Sequence, residues 1–220
     1  AITNDKIVAI GDLSEVLGSR EIEANARAVA PGFIDVHTHD DRAVLSDPIM
    51  ACKISQGVTT VITGNCGISL APLASKLLPP PLDLIADRPE SLFPDFSAYL
   101  NALDNEPPAV NLAAQVGHST LRIGAMDNLE RPATGEEIKS MRHQLDHALE
   151  AGAIGMSTGL YYEPASAAPT SEVIELAKSI RDARGIHTTH MRNEGDHIEQ
   201  SLEESFRIGR DANVPIVISH

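Results

Sequence analysis

The chain has 220 residues, 42% of them hydrophobic, and a formal charge of -14 from 17 basic against 31 acidic side chains. That balance argues against nucleic acid or an anionic membrane as partner, since both are bound through basic patches, and no apolar run approaches the roughly 18 residues that a membrane-spanning helix needs. Two cysteines, Cys52 and Cys66, do not make a disulfide framework, and with aromatics at 3% and no Trp the core must be built from Ile, Leu, Val, Ala and Met.

No signal-peptide pattern is visible, so the cytoplasm is the default location. The start at Ala1 rather than Met, and a strand pattern running up to His220, are expected of a piece of a longer protein. Residues 1–30 differ from the rest of the chain. Lys6 to Gly11 reads as a short strand with a Gly stop, preceded by the turn formers Asn4 and Asp5, and Glu21 to Val29 offers another extended stretch. Residues 1–30 are therefore expected to be part of a small β-sandwich domain, ahead of the main domain over 31–220.

From residue 31 the pattern is strand, loop, helix, repeated. Pro31 and Gly32 break the chain, then Phe33, Ile34 and Val36 supply strand formers up to His37-Thr38-His39. Because a strand alternates faces, the two imidazoles stand side by side, as half of a zinc site or as a chance surface pair. Asp47-Pro48 predicts a helix N-cap followed by Pro at the first helical position, with Gly57 closing the helix and Cys52 inside it as a small buried hydrophobe. The β-branched run Val58 to Thr63 is the clearest strand, and it leads into Gly64-Asn65-Cys66-Gly67. Residues 71–109 are Pro-rich and aperiodic, which predicts an insertion or lid rather than core. Val110 to Val116 resumes as a strand, ending at Gly117-His118-Ser119.

Thr134-x-x-Glu137 is a capping box opening a helix that Gly152 ends, with Ile138, Met141, Leu145, Ala148 and Leu149 on one stripe. His143 and His147 have a zinc-compatible spacing but fall opposite that stripe, where they are expected to be solvated. Ala153 to Ser157 is the next strand, followed by a loop over Thr158 to Pro164. A helix is expected from Ser171 to Arg184, capped by Thr170 and stopped by Gly185, and then a strand over Ile186 to His190. Asp196-x-x-Glu199 is expected to cap a helix carrying Ile198, Leu202 and Phe206 on one face, before a last strand over Val214 to His220.

Six strands alternating with helices or long connections predict an α/β fold with a parallel sheet and helices outside. A doubly wound sheet is possible. A (β/α)8 TIM-type barrel, truncated after about six strands, fits better because polar residues recur at strand ends, where barrels build their sites. No G-x-G-x-x-G or Walker loop favours a nucleotide. The residues at those strand ends, His37, His39, Cys66, His190 and His220, would face one cavity and form a nitrogen and sulfur ligand set suited to Zn2+. Each has a plainer alternative: Cys66 as a small turn residue between glycines, His190 and His220 as strand-end core histidines with one hydrogen bond each.

Pro31-Gly32-Phe33-Ile34-Asp35-Val36-His37-Thr38-His39 resembles the first-strand signature of the amidohydrolase superfamily of metal-dependent hydrolases. Gly57-Val58-Thr59-Thr60-Val61 leading into Gly64-Asn65-Cys66-Gly67-Ile68-Ser69-Leu70-Ala71-Pro72-Leu73 is similar to the D-aminoacylases, the N-acyl-D-amino-acid deacylases, within it. The segments Gly117 to Arg122, Met156 to Tyr162 and Thr189 to Arg192 resemble later parts of the same family, so the likeness runs from about residue 5 to His220. The H-x-H is generic; the Gly-Asn-Cys-Gly run is specific.

Many superfamily members bridge two metals with a carboxylated lysine after the fourth strand, where this chain reads Gly155-Met156-Ser157-Thr158-Gly159. The resemblance implies that Cys66 takes the bridging place, that Cys66, His190 and His220 hold a tight zinc, and that His37 and His39 line a second, weaker position. It places the catalytic aspartate beyond His220, so no catalytic base is expected within the chain, and it makes Tyr162 a substrate contact whose alternative is a packing residue. Arg192 and Glu194 would orient His190, meet a substrate carboxylate, or form a surface pair. The implied reaction is zinc-dependent hydrolysis of N-acyl-D-amino acids to a carboxylate and a D-amino acid, with the 220 residues alone inactive. The alternatives are a cyclic amidase of the dihydroorotase or hydantoinase kind and a non-catalytic metal-binding module.

Overall fold

Asn4 takes a left-handed φ of 57° and turns the chain between Ile2–Thr3 (β1) and Lys6–Ile7 (β2), which pair antiparallel with Ile2 opposite Ile7. The computed structural model describes residues 1–220, which divide into two compact units, Ala1–Pro31 and Gly32–His220. In the first unit this hairpin is the only strand pairing. The extended stretch expected over Glu21 to Val29 does not form. Asn25 and Ala26 both have positive φ, 49° and 61°, and two left-handed residues in succession turn a chain out of any strand.

In the second unit, a Cβ at Gly32 would lie 2.1 Å from Thr59 Oγ1, so glycine lets Phe33–Asp35 (β3) lie directly against Val58–Thr63 (β4), its parallel partner. Between them sit two one-turn helices, Ala43–Ser46 (α1) and Ala51–Ile54 (α2). The helix expected from Asp47-Pro48 starts later: Met50 N–H donates to Asp47 O, Met50 is left-handed at φ 48°, and Pro48 O accepts from Ala109 N–H. Cys52 does lie in α2, but it is exposed rather than buried, because that single turn buries none of its residues.

Residues 71–109 are not peripheral to the core. Leu73, Leu82, Ile85, Leu92, Phe96, Tyr99 and Leu103 are buried in the same cluster as Val61 and Met141. Asp95 caps Phe96–Asn105 (α3) by accepting from Ala98 N–H at 2.8 Å. The prolines break this segment into short turns, which hides its apolar side chains from any periodic pattern.

The strand expected over Val110 to Val116 is two, Asn111–Ala114 (β5) and Val116–Gly117 (β6), interrupted at Gln115. Helices His118–Ala125 (α4) and Gly135–Ala151 (α5) lead to Gly155–Gly159 (β7); Thr170–Asp182 (α6), Ile186–His190 (β8), Ile198–Ala212 (α7) and Ile216–Ile218 (β9) complete the chain. The sheets run β3-β4-β5 and β6-β7-β8-β9, parallel throughout. Gln115 joins them: its N–H donates to Thr63 O of β4, while Ile154 N–H donates to Ala114 O. Strand order therefore follows chain order without the reversal of a doubly wound sheet, consistent with part of a (β/α)8 barrel. No helix is long and apolar enough to cross a membrane.

The capping box forms as its sequence predicts: Thr134 Oγ1 accepts from Glu137 N–H, and Glu137 accepts from Thr134 N–H at 2.7 Å. Met141, Leu145 and Ala148 are buried, and His143 and His147 are exposed. The next two helices depart from expectation. Thr170 does not cap α6; Pro169 precedes the helix, and Thr170 Oγ1 instead donates to Glu204 on α7 at 2.8 Å. On α7 the buried face is Ser201, Ser205, Ile208 and Ala212, while Ile198 and Phe206 are exposed. Asn193 Oδ1, accepting from the N–H groups of Gly195 and His197, leads into the helix in place of Asp196.

Candidate metal centre

The turn after β4 is held from several sides. Gly64 has φ 75°, and a Cβ there would lie 2.1 Å from Gln115 O. Its N–H donates to Asp41 Oδ1 at 3.0 Å, Asn65 Nδ2 donates to Ile62 O and Thr38 O at 2.8 and 3.2 Å, and Gly67 N–H donates to Ser157 Oγ at 2.9 Å. Between these anchors Cys66 adopts a left-handed φ of 52°, unusual for a residue with a side chain. On the neighbouring strand, Lys53 Nζ of α2 bridges Asp35 and Asp40, at 2.8 Å each, on either side of the H-x-H run.

These constraints aim the Cys66 thiol at three histidines from three strand ends. Sγ lies 3.3 Å from His37 Nε2, 3.8 Å from His220 Nε2 and 3.9 Å from His190 Nδ1. Tetrahedral zinc, with Zn–S about 2.3 Å and Zn–N about 2.0–2.1 Å, sets its ligand atoms roughly 3.3–3.6 Å apart. The separations found are at or slightly above that range, and the donor set is one zinc accepts. His39 stands further out: its ring centroid is 5.6 Å from that of His37, and it belongs to neither group of three close donor atoms, His37-Cys66-His220 or His190-Glu194-His220.

Electrostatics favours neutral donors. Burial, reinforced by the charge of Glu194, pushes the Cys66 thiol up to about 11, so the protein alone keeps it protonated and a bound cation is needed to make the thiolate. Burial first, then the neighbouring His220, holds His37, His39 and His190 below the usual imidazole range, which leaves one lone pair on each ring for a ligand.

Tyr162 is partly exposed, with its ring centroid 4.7 Å from that of His190, and Tyr161 stacks on the same histidine at 5.6 Å. Arg192 and Glu194 do not pair with each other. Arg192 binds Glu204 through two contacts of 2.9 Å and the carbonyls of Ser166 and Ala168, so it ties loops together. Glu194 instead reaches His220 and His190.

Three contributors are not among the expected site residues: Tyr161, Lys53 and Asp41. Asp41 is buried with one carboxylate oxygen unpartnered, and burial raises it to about 7 against the opposing Gly64 N–H. Its place two residues after the H-x-H is the only hint the sequence offers.

The model of the amidohydrolase family matches residues 20–220. A D-aminoacylase of Alcaligenes xylosoxydans xylosoxydans is 53% identical over all of this chain and 45% of its own length. A D-aminoacylase crystal structure superposes with a TM-score of 0.94 at 55% identity, covering 98% of this chain and 46% of that one. The N-acyl-D-glutamate deacylase of Bordetella bronchiseptica, solved with zinc and a phosphonate mimic of the tetrahedral intermediate, gives a TM-score of 0.82 at 44% identity over 86% of this chain and 40% of that one. This chain thus spans a little under half the length of the relatives it matches. It belongs to the amidohydrolase family, within the D-aminoacylase group.

Proposed function

We propose that these residues form the metal-holding part of a zinc-dependent hydrolase that cleaves the amide bond of N-acyl-D-amino acids, releasing a carboxylate and a D-amino acid. The observation that carries this reading is the convergence of His37, His190 and His220 on the Cys66 thiol, within 3.3–3.9 Å. In this proposal Cys66, His190 and His220 hold the tight ion, and His37 with His39 lines a second position. Zinc bound there would polarise the acyl carbonyl and acidify a water.

The chain's own groups supply the ligands and a hydrogen-bond donor. On binding the ion, the Cys66 thiol would release its proton to solvent and bind as the thiolate, and the histidines would contribute neutral nitrogens. In this proposal the hydroxyl of Tyr162, whose ring lies beside that of His190, donates to the carbonyl oxygen as negative charge develops on it. The aspartate expected to move the proton lies, by the resemblance, beyond His220, so the 220 residues alone are proposed to hold metal without turnover. β7 ends in Ser157-Thr158-Gly159 and has no lysine to bridge two metals, which weighs against a cyclic amidase.

The test is a chimera in which residues 1–220 replace the matching segment of the Alcaligenes D-aminoacylase. It is expected to retain about one zinc per chain through dialysis, to hydrolyse N-acyl-D-amino acids, and to lose both properties on Cys66→Ala. Zinc retained in Cys66→Ala, or hydrolysis of cyclic amides in place of linear ones, would overturn the proposal.

A further inference from the structure

Glu194, four residues after the end of β8, addresses two rings with one oxygen. Its Oε1 lies 2.9 Å from His220 Nδ1 and 3.5 Å from His190 Nε2. The opposite nitrogens of the same rings, His220 Nε2 and His190 Nδ1, are the atoms that face Cys66 Sγ at 3.8 and 3.9 Å. A neutral imidazole has one N–H and one lone pair, and an ionised carboxylate only accepts. A ring whose N–H is directed at Glu194 has its lone pair directed at the thiol. Which nitrogen of each ring faces inward differs between the two, and a single carboxylate lies against the outer nitrogen of both.

We infer that Glu194 is a positioning residue for the metal centre: it fixes the tautomer and rotation of His190 and His220, which come from different strands, so that Nδ1 of one and Nε2 of the other meet at a common point. This rests on the metal-site reading proposed for the chain. The same distances allow Glu194 to be a ligand itself, with His190 and His220 around an ion on the outer side. Two observations favour positioning. The 2.9 Å separation of Glu194 Oε1 from His220 Nδ1 is shorter than the roughly 3.3–3.6 Å between two ligand atoms on one zinc, and an ion on the outer side would leave the buried thiol with no role.

The experiment measures zinc affinity by competition with a chromophoric chelator, and the absorption of the cobalt(II)-loaded protein, for the unaltered chain and for Glu194→Ala, Glu194→Gln and Cys66→Ala, with folding checked by circular dichroism. Glu194→Ala is expected to weaken zinc binding about 10- to 100-fold. One ion should still bind at saturation, and the sulfur-to-cobalt band should persist while the ligand-field bands change shape. Glu194→Gln keeps an acceptor oxygen and is expected to recover part of the affinity. Unchanged affinity in Glu194→Ala, beside loss in Cys66→Ala, overturns the positioning role and leaves the metal site standing. Binding abolished in Glu194→Ala but kept in Cys66→Ala makes Glu194 a ligand, which also overturns it. No binding by the unaltered chain overturns the metal reading beneath.

Discussion

Arg122 of α4 is ion-paired with Glu172 of α6, and both side chains are sealed from water. His118 Nε2 approaches the same Glu172 oxygen at 3.0 Å, and the second oxygen accepts from Ala133 N–H at 3.0 Å. Arg122 also donates to the carbonyls of Leu129 and Arg131, at 3.1 and 2.6 Å. The cluster locks α4, α6 and the approach to α5 together behind the strands that carry the candidate site. Removing one partner of a buried pair strands the other charge. Arg122→Met is therefore expected to cost about 3–5 kcal/mol, read from urea unfolding, and Arg122→Met with Glu172→Leu should recover most of that loss. A single-variant cost within about 0.5 kcal/mol, the ordinary range for a surface substitution, would show that the cluster carries no stability.

The same carboxylate sets an acid limit. Burial pushes the Glu172 pKa up, but His118, the hydrogen bond from Arg122 and the Ala133 N–H outweigh it and hold the group at about 2. A carboxyl held lower in the folded than in the unfolded chain stabilises above the unfolded value and loses that contribution as pH falls toward the folded one. The window runs from about 4.5 down to 2. Glu172→Gln should lack the steep fall in stability across it; an unchanged slope would remove Glu172 from the acid response.

His187 acts with the same overall sign in a higher window. It is wholly buried, and burial first, with the neighbouring His118 adding, lowers it to about 3. Above about pH 6.5 it is neutral in both states and contributes no slope. Below that, the unfolded chain takes up a proton that the folded chain refuses, so stability falls by up to about 1.4 kcal/mol per pH unit until about pH 3. His118, His37, His39 and His190, lowered in the same direction, add slope of the same sign, so the measurement is the difference between parent and His187→Asn in thermal unfolding from pH 7 to 4. Parallel curves would mean that His187 is protonated in the folded state.

Much of this architecture was readable because it is local. The β-branched run over Val58 to Thr63 and the Thr134/Glu137 capping box each declare themselves within a few residues, and both form. The expectations that failed are those where a distant partner decides. Phe206 has the helical spacing of a core residue, but α7 packs through Ser201 and Ser205, a choice made by the helix beside it. Thr170 looks like a cap until Glu204, 34 residues away, claims its hydroxyl. Within the site, the thiol and the histidines stand at readable strand ends. That His39 sits outside the close donors, and that Glu194 serves two rings, depends on side-chain directions that no spacing encodes.

The geometry of Cys66 depends on a glycine. At Gly64 a side chain would need the left-handed φ of 75° and would collide with Gln115 O at 2.1 Å, a backbone atom that cannot swing aside. The left-handed conformation alone costs a non-glycine residue about 1–2 kcal/mol, and the collision forces β4 and Gln115 apart. Gly64→Ala should destabilise the chain by on the order of 3 kcal/mol and lower zinc affinity more than its effect on folding explains, because Cys66 is displaced. Zinc affinity equal to the parent's in a folded Gly64→Ala chain would show that the turn does not set the thiol.

The outer strands carry a different liability. β3 and β9 are edge strands, each with an unpaired row of backbone donors and acceptors. Phe33, Ile34 and Val36 at β3 are 64%, 59% and 60% exposed, and Val217 of β9 and Phe206 of α7 are exposed as well. An apolar, unpaired edge recruits another strand, because pairing satisfies the backbone groups and covers the side chains in one step. The 220-residue chain is expected to self-associate with rising concentration in light scattering and to bind an apolar dye. Ile34→Lys together with Val217→Lys should suppress both, since a charged side chain on an edge costs desolvation when a second strand docks. A parent chain that stays monomeric and dye-free over the same concentrations would mean that these edges are covered in solution by some other part of the chain.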